Sequence, residues 1–298
     1  MVGLGRMGSN MAERLLGGGH EVVGFDIGAE ALAALTERGG IGMGSLADLV
    51  DALPTPRTVW VMLPAGTITQ DALNELVELL GPGDIVVDGG NAKYTESQAR
   101  AVAFADRDID FVDVGVSGGL WGREYGYGLM VGGHDAAVAR LQPVFETLGP
   151  SDGGFVHAGP SGAGHFTKMV HNGIEYGLMQ AYGEGFALLA AADEFGMDRE
   201  KLGAIAESWR TGTVIRSWLL DLATLALKDA SFDGIVGYVD DSGEGRWTVQ
   251  DAVERGVPVP AMAGALFDRF ASRDPNLFKN RLIAALRNQF GGHSLKVE

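Results

Sequence analysis

Short β-branched hydrophobic runs alternate with helix-like patterns through roughly the first half of the chain. These runs predict strands at Val22–Asp26, Thr58–Leu63, Ile85–Asp88, Phe111–Val116 and Leu129–Val131. Strands that alternate with helices are typical of a doubly wound, mainly parallel sheet. We therefore expect a Rossmann-like α/β domain over residues 1–159.

The hydrophobic pattern changes after about residue 159. From Gly164 to about Phe195 no proline interrupts the sequence, which predicts a single long helix. The segments that follow are also helical in pattern, with breaks at 234–237, 240–245 and 257–260. We expect an all-α second domain over residues 160–298, entered by a long interdomain helix that lines the cleft between the two domains.

Composition narrows the class of protein. The 298 residues include 23 Lys and Arg against 39 Asp and Glu, a formal charge of −16, and no cysteine. A negative chain is a poor partner for nucleic acid, and the absence of cysteine excludes disulfides and fits a reducing cytoplasm. No apolar run is long enough to span a membrane. The 46 glycines are about twice the usual share, and many follow predicted strands, where α/β sheets bind ligands.

The chain opens with a dinucleotide-binding pattern, Gly3-Leu4-Gly5-Arg6-Met7-Gly8, which leads into a predicted helix at 9–16. Asp26 ends the next predicted strand about 20 residues later, where an acid accepts hydrogen bonds from a ribose 2′-hydroxyl and repels a 2′-phosphate. This favours NAD over NADP, although Asp26 could instead cap the next helix. Only two residues precede Gly3, so we also expect that the natural chain starts a few residues earlier.

The most informative segment lies on the long predicted helix. One stripe carries five polar side chains at offsets 0, 3, 4, 7 and 8, where a helix normally turns to its core: Lys168, His171, Asn172, Glu175 and Tyr176. Another face carries Met169, Val170, Gly173, Ile174, Gly177 and Leu178, and is predicted to pack against a neighbour. A solvated face with a Lys–Glu pair is the alternative, but such faces rarely combine His, Asn and Tyr.

At these residues the chain resembles the decarboxylating 6-phosphogluconate dehydrogenases. The matching segments are Gly89-Gly90-Asn91, Val116-Ser117-Gly118-Gly119, Lys168 through Tyr176, Gly256 through Pro260 followed by Phe267 and Arg269, and the tail from Arg287 to His293. The resemblance covers essentially the whole chain. Because an extra helical half of the long members is missing, the chain looks like the short, often NAD-linked branch.

The resemblance implies a role for each matching residue. Lys168 would be the general base on the C3 hydroxyl and then the acid on the keto oxygen, and Glu175 would protonate C1. Substrate would be held by Asn91, Ser117, Gly118, Gly119, His171, Asn172, Tyr176, Arg269, Arg287 and His293. Cofactor would be held by Gly3, Leu4, Gly5, Arg6, Met7, Gly8, Asp26 and Asn91. The family's tail enters a partner subunit's site, which implies a homodimer or homotetramer.

One segment departs from the family pattern. Where long members have Lys-Gly-Thr-Gly-x-Trp, this chain has Ser242-Gly243-Glu244-Gly245-Arg246-Trp247. A carboxylate near a phosphate is unfavourable; either Arg246 compensates, since arginine makes bidentate phosphate contacts, or Glu244 faces water. Leu120 and Trp121 also stand where long members are acidic.

Three alternatives remain open. A dehydrogenase of the hydroxyisobutyrate type shares the glycine loop, Ser-Gly-Gly and a Lys followed four residues later by Asn, but does not require His171, Glu175 and Tyr176 together. The same decarboxylation could act on an unphosphorylated sugar acid. A nucleotide-sensing protein could bind in the cleft without catalysis. No His/Asp/Glu cluster has metal-ligand spacing, so we expect no metal.

Overall fold

The computed structural model describes residues 1–274, 277–291 and 294. Within these ranges the first part of the chain forms a mixed, mostly parallel sheet. Its strands are β1 (Val23–Phe25), β2 (Ile41–Met43), β3 (Thr58–Val61), β4 (Ile85–Asp88), β5 (Asp110–Ser117), β6 (Gly128–Gly132) and β7 (Phe155–Gly159). The five predicted strands are all present, whereas β2 and β7 were not predicted.

The sheet has two parts joined at the start of the chain. β1 pairs with β2, and the other strands follow in the order β3-β4-β5-β6-β7, parallel except for the antiparallel pair β5–β6. Val2 makes parallel bridges to both Phe25 and Val61, and so occupies the position between β1 and β3. The carboxyl ends of β1 to β5 therefore lie along one edge of the sheet, where α/β proteins bind ligands.

Helices cover both faces of this sheet, as expected for a doubly wound fold. They are α1 (Arg6–Gly17), α2 (Ala29–Glu37), α3 (Leu46–Asp51), α4 (Thr67–Leu79), α5 (Tyr94–Ala105), α6 (Gly122–Tyr125) and α7 (Asp135–Leu148). Side chains alternate between two buried hydrophobic clusters: Ile85 and Val87 of β4 belong to one, and Val86 belongs to the other. This alternation is the period of two that a strand buried on both faces requires.

The second part of the chain is helical in all of its described elements. They are α8 (Ala163–Ala190), α9 (Arg199–Trp209), α10 (Trp218–Lys228), α11 (Glu244–Arg255), α12 (Pro260–Ala271) and α13 (Phe278–Gly291), with 3₁₀ turns at Asp193–Phe195 and Phe232–Gly234. The predicted long helix is present but ends at Ala190. The Rossmann-like first part and the helical second part confirm the predicted fold class.

Contacts divide the chain into two compact units, Met1–Val170 and His171–Glu298, and the division falls inside α8. The boundary predicted at residues 159 and 160 stays a prediction. In the second unit a small core contains Leu202, Ala206, Leu220 and Leu227. Side chains cap two of its helices, because Asp198 accepts the N–H of Lys201 and Ser217 accepts that of Leu220. In the ranges described, no helix combines the length and apolar character needed to cross a bilayer.

Candidate functional site

The opening glycine loop has a separate physical reason for each glycine. Gly3 has φ +87°, and a Cβ there would lie 2.5 Å from the carbonyl oxygen of Met62. A Cβ on Gly8 would lie 2.0 Å from the carbonyl oxygen of Gly3, so this glycine lets α1 approach the strand. No heavy atom lies within 4 Å of a Cβ built on Gly5. A tight turn, an open approach and a close helix contact are the three requirements of a dinucleotide loop.

The N-terminus of α1 is available to an anion. Gly5 is its N-cap residue, no side chain caps it, and its first turn contains no acidic residue. The first N–H groups of a helix lack intrahelical acceptors and carry the positive end of its dipole. A pyrophosphate therefore fits this loop, with the open side of Gly5 as its approach.

Asp26 holds the same loop from the end of β1. Its Oδ2 accepts the N–H of Leu4 at 2.7 Å, and its Oδ1 accepts the N–H of Gly28 at 2.8 Å. Gly28 is the N-cap residue of α2, so Asp26 also organises the start of that helix. Each carboxylate oxygen can accept a further hydrogen bond. The structural role and the predicted ribose contact are therefore compatible.

The segments that are predicted to bind substrate follow the carboxyl ends of β4 and β5. Gly89, Gly90 and Asn91 follow β4, and Ser117 ends β5 before Gly118 and Gly119. A Cβ on Gly90 would lie 2.6 Å from the carbonyl oxygen of Leu63, so this position has no room for a side chain. Because β4 and β5 are adjacent and parallel, both segments lie at the same edge of the sheet.

Lys168 is seated directly on the backbone of β5. A Cβ built on Gly115 would lie 2.2 Å from the Cβ of Lys168. Every second residue of a strand lies on the same face, so residues 113, 115 and 117 share one face of β5. Asp113 and Ser117 therefore lie on either side of that contact. Lys168 therefore contacts β5 between the positions of the buried Asp113 and of Ser117 in the Ser-Gly-Gly segment.

Asp113 belongs to a buried polar cluster that sequence analysis did not identify. Its Oδ1 accepts the N–H of Gly162 at 2.6 Å, and its Oδ2 accepts the N–H of His165 at 2.8 Å. The Nδ1 of His165 lies 2.7 Å from the Oγ of Ser97 on α5. Burial raises the pKa of the Asp113 carboxyl, against the lowering effects of His165 and the two N–H groups. An aspartate inside an otherwise apolar strand was the available signal.

The other members of the predicted stripe follow on α8. The Nδ1 of His171 lies 3.1 Å from the Oδ1 of Asn172 and 3.8 Å from the Oε2 of Glu175. Asn172 is buried, whereas the side chains of His171 and Glu175 are 41% and 38% exposed. The helix is unbroken from Ala163 to Ala190, so these groups share one helical surface with Lys168.

The predicted packing face is only partly correct. Met169 is buried, but Ile174 and Leu178 are 49% and 44% exposed. Close packing occurs instead at Gly173, where a Cβ would lie 2.6 Å from the Cγ2 of Thr248 on α11. The small residue, rather than the large ones, is the point of contact because α11 approaches the helix so closely there.

Tyr176 and Arg269 are together, as predicted. The guanidinium of Arg269 lies 3.5 Å from the centroid of the Tyr176 ring, and its Nη1 donates to the carbonyl oxygen of Asp240 at 2.9 Å. Tyr176 is buried, and a Cβ on Gly245 would lie 2.4 Å from its Cε2. Burial, more than any neighbouring charge, raises the pKa of the Tyr176 phenol.

The structure contradicts the expectation that Glu244 faces water, and it shows how Arg246 is held. Glu244 is 4% exposed and accepts the hydroxyl of Ser242 at 2.7 Å, so it does not face water. Arg246 is held by Asp241 through two hydrogen bonds of 2.8 and 3.0 Å. These bonds, aided by Arg273 and opposed by burial, hold the pKa of Asp241 at about 2. Arg246 is therefore already paired with Asp241.

Two further predicted substrate residues belong to the tail. Arg287 lies exposed on α13, and His293 lies outside the described residues. In the part of the chain that the structure describes, no group of three or more His, Cys, Asp or Glu side chains could hold a metal ion.

Comparisons with known proteins cover the whole chain. Residues 1–159 match a family described as the NAD binding domain of 6-phosphogluconate dehydrogenase, and residues 164–286 match the 6-phosphogluconate dehydrogenase C-terminal domain. A Haloferax volcanii protein named NAD(+)-dependent, decarboxylating 6-phosphogluconate dehydrogenase is 46% identical over 299 residues, which span 99% of this chain and 97% of that protein.

Solved structures show the same relationship. Plasmodium falciparum 6-phosphogluconate dehydrogenase superimposes with a TM-score of 0.85 at 27% identity, over 100% of this chain and 65% of that one. The 3-hydroxyisobutyrate dehydrogenase of Mycobacterium tuberculosis superimposes with a TM-score of 0.71 at 22% identity, over 96% of this chain and 97% of that one. The second likeness shows the fold alone.

The contact between β5 and α8 generates a stability prediction. Gly115→Ala places a Cβ against the Cβ of Lys168, and overpacking of this kind costs about 1–3 kcal/mol. Gly183→Ala is the matched control, because no heavy atom lies within 4 Å of a Cβ there and alanine favours a helix. We expect urea denaturation to show a lower free energy of unfolding for G115A than for the wild type, and no decrease for G183A. Equal stabilities would contradict the close contact.

Proposed function

The chain belongs to the 6-phosphogluconate dehydrogenase family, and we propose that it oxidatively decarboxylates 6-phospho-D-gluconate to D-ribulose 5-phosphate and CO2, with hydride transfer from C3 to NAD. The observation that carries this proposal is the α8 stripe, in which an amine seated on β5 and a carboxylate seven residues later share one helix. The Haloferax volcanii relative, similar over nearly its full length, bears a name with this activity.

Lys168 and Glu175 are suited to two successive proton transfers. Seven residues of α-helix advance about 10 Å, so the two groups serve different carbons of one extended substrate. Lys168 accepts the C3 hydroxyl proton as C3 is oxidised. It then returns a proton to the keto oxygen as CO2 leaves, because a donor there stabilises the developing enolate. Glu175 protonates C1 of the enediol.

Substrate binding is assigned residue by residue from the pattern of the family. Ser117, Gly118 and Gly119 hold the carboxylate end, and Asn91, His171 and Asn172 hold hydroxyls. Tyr176 and Arg269 hold the phosphate, with Arg287 and His293 contributed by the tail. The stacking of Arg269 on Tyr176 supports the phosphate assignment, because it presents a guanidinium whose partner is a neutral ring and a carbonyl rather than a carboxylate.

The cofactor is assigned to the opening loop, through Gly3, Leu4, Gly5, Arg6, Met7, Gly8 and Asp26, with Asn91 beside it. The carboxylate of Asp26 supports NAD rather than NADP, since a 2′-phosphate would be placed against it. When bound, the nicotinamide supplies the hydride acceptor.

Assembly and location complete the proposal. We assign the chain to a homodimer or homotetramer in which the tail enters a partner's site, and to the cytoplasm, as a pentose phosphate and gluconate-utilising enzyme. The sequence boundary between residues 159 and 160 is proposed as the domain boundary, and the family matches on either side of residues 160–163 support it.

Glu244 favours a second candidate function. It is a buried carboxylate in the same unit as Tyr176, and its negative charge acts on that phenol. Such a group opposes a phosphate dianion and tolerates a terminal hydroxyl, which would suit an unphosphorylated sugar acid.

A substrate assay separates the candidates. We expect NAD-dependent turnover of 6-phosphogluconate with one CO2 released per NADH, and a kcat/KM for gluconate at least about 100-fold lower, since a charged phosphate pair contributes about 3 kcal/mol. NADH formation with 3-hydroxyisobutyrate, or with gluconate in preference, would replace the proposed substrate.

Variants on α8 test the two proton-transfer groups. Lys168→Met is expected to lower kcat by at least about 100-fold, and Glu175→Gln by about 10- to 1000-fold, the usual contribution of general acid–base catalysis. NAD affinity should change little in either. Lys201→Met and Glu184→Gln are controls: Lys201 donates to the carbonyl oxygens of Phe195 and Gly196, and Glu184 accepts from Gln180, so neither bond involves a residue assigned to the site. Full turnover in K168M would remove Lys168 from the chemistry.

Asp26→Asn tests cofactor choice. Removing the charge relieves repulsion of a 2′-phosphate, so we expect the ratio of kcat/KM for NAD to that for NADP to fall by at least about 10-fold, or 1.4 kcal/mol. Wild-type protein assayed with both cofactors is the reference. A wild-type preference for NADP would overturn the assignment.

A further inference from the structure

The first turn of α8 receives its N-terminal cap from a distant strand. The residue before the helix is Gly162, which has no side chain with which to cap it. Asp113 on β5 supplies both acceptors instead, one oxygen for the N–H of Gly162 and the other for the N–H of His165. Asp113 is fully buried, so water does not compete for these hydrogen bonds.

His165 is held through its side chain as well. Its imidazole is 2% exposed, and its Nδ1 lies 2.7 Å from the Oγ of Ser97, which is itself buried on α5. Backbone and side chain are therefore attached to two different elements of the first unit, β5 and α5. One residue in the first turn is fixed in both position and rotation about the helix axis.

The same turn lies against bare backbone. A Cβ on Gly164 would lie 2.4 Å from the carbonyl oxygen of Asp113 and 2.5 Å from that of Met130. A Cβ on Gly132 would lie 2.6 Å from the backbone nitrogen of Gly164. The helix can slide over β5 and β6 only if the hydrogen bonds to Asp113 break.

Lys168 follows His165 by three residues, which places the two side chains on neighbouring positions of one helix face. We propose that Asp113 is the positioning residue for Lys168, acting through the N–H groups of Gly162 and His165, with Ser97 as its second anchor. The proposal rests on the proposed function only in taking Lys168 as the proton-transfer group. Asp113 itself touches no substrate in this scheme.

The expected effect is on the chemical step. A displacement of about 1 Å in a catalytic group can cost about 100-fold in rate. Asp113→Asn keeps the shape of the side chain but replaces one acceptor oxygen by an NH2 group, which faces an N–H donor. We expect kcat to fall about 10- to 100-fold, while the dissociation constant of NAD stays within about twofold of wild type, because the dinucleotide loop is not part of this cluster.

Asp84→Asn is the matched control. Asp84 is also a buried carboxylate of the sheet, and it accepts the N–H of Arg57 at 2.6 Å and of Gly81 at 3.0 Å. Asp84 also forms an ion pair with Arg57 at 3.2 Å. We therefore expect D84N to destabilise the fold at least as much as D113N does. If Asp113 has a purely structural role, D113N and D84N should lower kcat equally.

A second readout does not depend on turnover. Acetylation of the Lys168 amine by acetic anhydride, followed by peptide mass spectrometry across a pH series, reports the pH at which that amine becomes reactive. We expect this pH to change in D113N and not in D84N, because a moved amine meets a different environment. An unchanged profile in D113N overturns the proposal even where wild-type protein fails to use 6-phosphogluconate, so the two failures are distinguishable.

Ser97→Ala covers the case in which D113N does not fold. It removes only the hydroxyl that pairs with His165, and we expect a smaller fall in kcat, about 3- to 10-fold on the scale of one neutral hydrogen bond, with the same change in Lys168 reactivity. Wild-type kcat together with a wild-type reactivity profile in S97A would contradict the second anchor and with it the positioning scheme.

Discussion

The structure depends on a contact between a helix and bare strand backbone. The first two turns of α8 lie on β5 and β6 where Gly115, Gly132 and Gly164 leave no room for a side chain on either surface. Each of these glycines weakens its own strand or helix, since glycine loses more conformational entropy on folding than any other residue. The cost is offset by an approach that no other residue permits, and it places Lys168 on the strand that ends in Ser117.

The arginines of the second unit differ in whether a carboxylate pairs with them. A chain with a formal charge of −16 must still present positive charge to an anionic substrate, yet it neutralises several of its own arginines. Asp241 accepts from both Arg246 and Arg273, whereas Arg269 stacks on a neutral ring and donates to a carbonyl. The guanidinium of Arg269 therefore keeps more of its field for a ligand than that of Arg246 does.

Sequence analysis predicted the features that depend on residues close to one another along the chain. The glycine loop follows from three positions within six residues, and the α8 stripe follows from offsets of three and four on a helix. The Asp113 cluster joins residues that are 49, 52 and 68 positions apart in sequence, and no local pattern encodes such partners. The alternative in which Glu244 faces water was wrong for the same reason, because whether a carboxylate meets water depends on which helices cover it. Ile174 and Leu178 are apolar residues at helical spacing, which predicts a packing face. Spacing alone does not show which residue of α8 contacts α11, and in the structure that residue is Gly173.

The two residues proposed for proton transfer are connected by one helix rather than by their surroundings. Lys168 has its contacts in the first unit and Glu175 in the second, but α8 is continuous through both residues. Since an α-helix advances about 1.5 Å per residue, their separation along the axis follows from the backbone hydrogen bonds alone. An anchor at the first turn acts on the rotation of that turn and of Lys168, because residues three and four apart keep their relative directions. In the proposed scheme, the buried carboxylate of Asp113 therefore sets the direction of Lys168.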